Sequence, residues 1–137
     1  MAETNNKNSE RIESFLDLNV YRKAFELQQT IFEITKSFPK EEQYSLTDQI
    51  RRSSRSVGAN ISEAWQKRRY KAHFLSKLSD ADGEQSETQH WLKTAYSCVY
   101  ISKKEYEDLT QRYKEIGSML GKMMKDPEKW CSRFNSK

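Results

Sequence analysis

Apolar residues recur along this chain at alternating spacings of three and four, the period that gathers them on one side of an α-helix. The first stripe is Val20, Ala24, Leu27, Ile31, Ile34 and Phe38, widened by Tyr21, Phe25 and Phe32. It predicts a helix of about five turns. Asp17 or Asn19 would cap its start, and Phe15 and Leu16 just before it are placed to touch the core. Pro39 would end it by removing a donor and driving Phe38 out of helical geometry. After a connection at Lys40 to Tyr44, Ser45-Leu46-Thr47-Asp48 has the spacing of an N-terminal cap. It opens a second stripe, Leu46, Ile50, Val57, Ile61 and Ala64, held within roughly 60° of arc at about 100° per residue.

The third stripe is the most regular: Phe74, Leu78, Ala81, Gln85, Thr88, Leu92, Ala95 and Val99 form a heptad-like seam. Its middle is small or polar, which predicts close packing or a hydrogen bond there. No Gly or Pro separates the second stripe from the third. An unbroken helix from Ser45 to Tyr100 would nevertheless run for roughly 80 Å, so a break is expected at residues 67–70. Ser102-Lys103-Lys104-Glu105 has capping-box spacing and starts a fourth helix with Tyr106, Leu109, Tyr113, Ile116, Leu120 and Met123 on its apolar side. Asp126-Pro127 stops it. In that helix Gly117 and Gly121 are polar-flanked and read as a packing notch, not as a membrane motif.

Four amphipathic helices with short connections predict an all-α fold, an antiparallel up-and-down four-helix bundle over residues 15–126. A polar, non-periodic tail at 1–14 is expected to be disordered. A second polar tail at 127–137 carries Trp130 and Phe134, which could dock back. With 137 residues, this is one domain large enough for a core without disulfides or metal. Only 4 Gly and 2 Pro are present, in keeping with few turns.

Charge changes the picture on the second helix. The net charge is only +4, but residues 51–71 hold 7 of the 24 basic side chains and a single acid, Glu63. Residues 1–50 instead hold 6 basic and 9 acidic side chains. Arg51, Arg52 and Arg55 fall opposite the apolar stripe, and Lys67, Arg68, Arg69 and Lys71 follow at the helix end. Guanidinium groups match phosphate oxygens with paired donors, and such clustering attracts a polyanion. Two other readings fit the same residues. The face could be solvated, with Asp48–Arg52 and Glu63–Lys67 as four-apart pairs, or it could meet the acidic row Asp80, Glu84 and Glu87 of a neighbouring subunit.

Asn60 and Glu63 lie at the edge of the apolar arc among Gly58, Ala59 and Ser62, and read as a buried structural hydrogen-bonding pair. No partner acid, metal or nucleophile accompanies them to suggest catalysis. His73 and His90 have no ligand at zinc-site spacing. Ser53, Ser54 and Ser56 lack a base, and no phosphate loop or dinucleotide fingerprint occurs. A non-enzymatic protein with no cofactor and no metal is expected. Cys98 and Cys131 are isolated thiols. The first residues lack an apolar signal core, and no run approaches the ~20 apolar residues of a membrane span, so a cytoplasmic location is expected.

From Phe38 to Tyr70 the chain resembles the four-helix-bundle proteins encoded in 23S rRNA intervening sequences. The most specific parts are Gln49-Ile50-Arg51-Arg52 and Asn60-Ile61-Ser62-Glu63. Leu18 to Ala24, Lys77 to Glu84 and Glu87-Thr88-Gln89 extend the likeness over about residues 16–125. Two positions depart from it: Ala64 stands where Gly often follows the Glu, and Asp82-Gly83-Glu84 replaces a frequent Arg-Gly-Ser, which makes the third helix more acidic. The resemblance implies a bacterial protein assembling as a homo-oligomeric ring, a pentamer, without established activity in most members. One related group serves diversity-generating retroelements as an accessory protein that partners a reverse transcriptase and binds nucleic acid. The leading expectation is therefore non-specific binding of RNA or DNA through Arg51, Arg52, Arg55, Lys67, Arg68, Arg69 and Lys71. The alternative is an oligomeric interaction scaffold, such as a reverse-transcriptase accessory subunit, with that face at a protein interface.

Overall fold

The four stripes become four long helices in the computed structural model, which describes residues 11–135. They are α1 (Asn19–Thr35), α2 (Leu46–Gln66), α3 (Lys71–Ser97) and α4 (Lys103–Lys125), followed by a short α5 (Glu128–Asn135). Single 3₁₀ turns at Phe15–Asp17 and Lys40–Glu42 precede α1 and α2, and the described residues contain no strand. α2 packs chiefly on α3, α3 on α4, and α1 on both α2 and α4, so each long helix touches two neighbours. Ala24, Leu27, Ile31, Ile50, Val57, Ile61, Phe74, Leu78, Leu92, Ile116 and Leu120 meet at the centre. Burial of each large aliphatic side chain contributes about 1.5–3 kcal/mol.

The expected break between the second and third helices falls at residues 67–70. The polar middle of α3 also has its partner: the Ser53 and Thr88 hydroxyls bond at 2.8 Å in the interior between α2 and α3. Gly117 is a notch, since a Cβ there would lie 2.8 Å from Gln85 Nε2, whereas Gly121 faces open space.

Several local expectations are corrected. Neither Asp17 nor Asn19 caps α1: Leu18 holds the cap position without a side-chain bond. Asp17 instead closes a capping box with Ser14 around the first 3₁₀ turn. Ser45 does hold the cap position of α2, as expected, but its side chain makes no capping bond. Its hydroxyl donates to Glu42 (2.7 Å), and the Leu46 N–H donates to the same carboxylate (3.2 Å). A third donor, the Tyr100 hydroxyl, reaches Glu42 at 2.8 Å. These bonds, Ser45 first, hold the Glu42 carboxyl below its usual pKa, and the Glu42 bond pushes Tyr100 up to about 12. A carboxylate four residues upstream thus supplies the anion that the helix start needs.

α1 stops at Thr35, short of Phe38, although Phe38 stays buried against Tyr100 at a ring distance of 5.4 Å. Phe15 is half-buried against Tyr21, but Leu16 and Phe25 are exposed, Phe25 by 45%. Val99 leaves the third seam at 84% exposure, with φ +63°. The Val99 N–H bonds Tyr96 O and the Tyr100 N–H bonds Ala95 O, the paired bonds of a helix end that favours glycine.

The segment expected as a C-terminal tail is helical. Cys131 is fully buried, and Trp130 packs edge-on against Trp65 at 6.5 Å. Pro127 O accepts from the Trp130 and Cys131 N–H groups, and Lys71 is ion-paired with Glu128. α5 therefore docks on the end of α2. The Phe134 side chain and residues 1–10 of the expected N-terminal tail lie outside the described part. Ile12, within that expected tail, packs against the core.

Candidate nucleic-acid interface

The seven basic residues divide into two groups, because α2 advances roughly 18 Å between Arg55 and Lys67. Arg51, Arg52 and Arg55 line one groove with Gln43, Thr47 and Ser56. Arg51 is committed to α1. Its Nε donates to Thr35 Oγ1 at 2.7 Å, a terminal nitrogen reaches Phe32 O at 3.5 Å, and the guanidinium lies 4.6 Å from the Phe32 ring centre. Arg55 shares that ring at 5.6 Å and is exposed. Arg52 is exposed, and its nearest acid is Asp48 at 3.9 Å, a geometry worth less than about 0.5 kcal/mol.

The second group sits where α2 turns into α3. Lys67 is exposed and ends α2, its N–H bonded to Glu63 O and Ala64 O. Arg68 lies flat over Trp65 at 3.5 Å and donates from Nε to Trp65 O at 2.8 Å. Arg69 is exposed but also engaged within the chain. Lys71 pairs with Glu128, whose hydrogen bond and charge raise the Lys71 pKa.

The expected buried pair of Asn60 and Glu63 does not form. Asn60 Nδ2 donates to Ser56 O one turn back at 2.9 Å. Glu63 is exposed and bridges to Lys77 on α3 at 2.8 Å, not to Lys67. The Lys77 hydrogen bond, then its charge, lowers the Glu63 pKa and the same contact raises that of Lys77. Small neighbours leave both side chains at the rim of α2, where the α3 surface and the helix backbone are nearer than each is to the other. The pair therefore joins α2 to α3 through one member and to its own helix through the other.

The acidic row lies beside the arginines within one chain. Glu84 is half-buried, and its pKa is raised by burial first, then by Glu87 and Asp80, with Arg52 acting in the opposite direction. Among the described residues no group of three His, Cys, Asp or Glu could hold a metal ion, and no helix is long and apolar enough to cross a membrane. His73 and His90 contact the rings of Tyr70 and Trp91.

Sequence reasoning missed the Arg51–Thr35 bond, the Glu42 cap and the Trp65–Arg68–Trp130 cluster. Only Glu42 had a visible signal, an acid four residues ahead of Leu46; the other two join residues from different helices.

The sequence profile of the family described as 23S rRNA-intervening sequence protein matches residues 16–122. No curated protein matches the chain. A crystal structure of a protein of unknown function from the S23 ribosomal protein family of Bacteroides thetaiotaomicron is similar. The two share 34% identity with a TM-score of 0.71, over 77% of this chain and 95% of the other. Sequence and fold agree, and the chain belongs to the 23S rRNA-intervening sequence protein family.

Proposed function

We propose that this protein is a non-enzymatic, antiparallel helical bundle that assembles as a homo-oligomeric ring, a pentamer, and binds nucleic acid non-specifically through α2. The observation that carries this reading is the arginine groove. Arg51 is anchored by Thr35 and Phe32, while Arg52, in a long exposed pair with Asp48, and Arg55 are exposed beside it. Backbone phosphates match such donors, and no sequence-reading element accompanies them. With Arg51, Arg68, Arg69 and Lys71 engaged inside the chain, three exposed cations per subunit, Arg52, Arg55 and Lys67, remain strong candidates. That number predicts a salt slope near −3 per subunit, where seven contacts would give about −6. Repetition around a ring would multiply a weak patch through effective concentration.

A second reading is favoured by what flanks the groove. Phe25 is 45% exposed beside Tyr21, Gly58 and Ala59, and Glu84 feels the charge of Arg52. An interaction scaffold would use this mixture of aromatic, small and oppositely charged groups against a protein. The test is the double variant Arg52→Glu/Arg55→Glu, which leaves the structural Arg51 in place. Nucleic-acid binding that collapses at low salt while oligomer mass is unchanged supports the first reading. Loss of the oligomer, with no binding by the wild type, overturns it for the second.

A further inference from the structure

A cleft of about 640 Å³ opens where α1 begins and α2 and α4 end, with α5 folded back across it. It lies at the opposite end of α2 from the arginine groove. Its volume is within the range of about 300–1,000 Å³ typical of ligand sites. Two indoles, Trp65 and Trp130, form its aromatic wall, and Met119 adds a thioether that adapts to flat ligands. Neither indole N–H has an acceptor among the described residues. Three cations stand around it: Arg68 over Trp65, Lys129 at 5.3 Å over Trp130, and Lys122 on α4. Lys122 and Lys129 are exposed, and no acid lies within ion-pair distance of either among the described residues.

The single acid on the rim among the described residues, Asp17, is already occupied. Its carboxylate accepts from the Glu13 and Ser14 N–H groups and faces Arg22 at 3.7 Å. An anion entering the cleft therefore meets uncompensated positive charge beside flat apolar surface. A ligand with a planar aromatic body next to a phosphate satisfies both features at once: the ring stacks on indole, and the phosphate takes the lysines. Lys67 and Lys125 are exposed on the helix ends that form this corner, and they supply cations for further phosphates.

We propose that this cleft holds the unpaired end of a nucleic-acid strand, its base against the half-buried Trp130, which Trp65 backs, and its phosphates on Lys122 and Lys129. The site rests on Lys122, Lys129 and Trp130, none of which lines the arginine groove, and shares with that reading the chemical nature of the ligand. The probes are AMP and a short 5′-phosphorylated oligothymidylate, added to the full-length protein while tryptophan fluorescence and binding are followed. The oligothymidylate is expected to quench the fluorescence and to bind more tightly than AMP. Lys122→Glu/Lys129→Glu, at two exposed positions, should weaken it by about tenfold or more at low salt. Arg52→Glu/Arg55→Glu would remove whatever oligothymidylate the groove holds, but it should leave the quenching of the cleft tryptophans by AMP unchanged. Trp130→Phe should retain binding with a smaller fluorescence change. Equal affinity for AMP and the oligothymidylate overturns the strand end in favour of a free nucleotide. Tryptophan quenching lost in the arginine variant but kept in the lysine variant overturns the cleft while sparing the groove. Absence of binding by either probe, with displacement of a fluorescent fatty acid by octanoate, assigns the cleft to an aliphatic anion and overturns the proposal outright.

Discussion

The two basic regions, one on α2 and one where α2 turns into α3, have similar composition and different internal ties. In the arginine groove one residue of three is committed: Arg51 is bonded across to α1, whereas Arg52 and Arg55 lie on the surface. At the Lys67–Lys71 corner, Arg68 stacks on a buried indole and Lys71 pairs with α5, so charge there also holds the chain terminus. A run of cations is therefore a poor guide to free positive surface. Each cation must be followed to its partner before it is counted toward a polyanion.

That contrast breaks most visibly at Trp65, which is 7% exposed and carries both Arg68 and Trp130. Trp65→Ala is expected to destabilise the protein by about 3–5 kcal/mol through the cavity left behind. Chemical denaturation would measure it, and a loss below about 1 kcal/mol would mean that the corner holds nothing together. In the groove, Arg51→Ala should cost about 1–2 kcal/mol, because Thr35 and the Phe32 ring lose their partner. Arg52→Ala should stay within about 0.5 kcal/mol. Equal effects at the two positions would erase the distinction between committed and surface arginines.

Val99→Gly provides a change remote from both regions. The side chain buries little at 84% exposure, and the backbone is left-handed at φ +63°. Relief of that strain should stabilise the protein by about 1 kcal/mol, reduced in part by added unfolded-state freedom. Binding in both basic regions should be unaltered, which separates stability from affinity in the other variants.

The smallest effect expected is that of pH on Lys71. Glu128 raises its folded-state pKa above 10.5, the unfolded value. The stabilisation is therefore fully present below pH 10.5 and is lost as pH rises through the higher folded value. The melting-temperature difference between wild type and Lys71→Met should hold constant to that point and then shrink. A difference that instead grows with alkalinity would show that Lys71 is not held by Glu128.

How much of this was legible beforehand differs from element to element. The four stripes located the long helices because a buried face must repeat at the helical period whatever it packs on. Ser102 and Glu105 announced their own cap, and both of its bonds form, at 3.0 and 2.8 Å. The capping bond of α2 was misplaced because Glu42 lies outside the expected window and is also held by Tyr100, fifty-eight positions away in the chain. α5 reads as a tail in the sequence because an eight-residue helix gives too short a stripe to register, although Cys131 within it is buried. Asn60 and Glu63 were placed correctly at the edge of the apolar arc, but proximity along a helix did not say which neighbour each would bond.

By itself, the sequence determined the helical class, the break at residues 67–70, the buried seams and the concentration of positive charge on α2. All of these depend on periodicity and on composition within a single segment. Only the tertiary structure decided which of those charges remain at the surface. The partners of Arg51, Arg68 and Lys71 are a threonine on α1, an indole at the end of α2 and a glutamate on α5. An ion pair or a stacking contact is a relation between two places in space, and spacing along one helix specifies only the first of them.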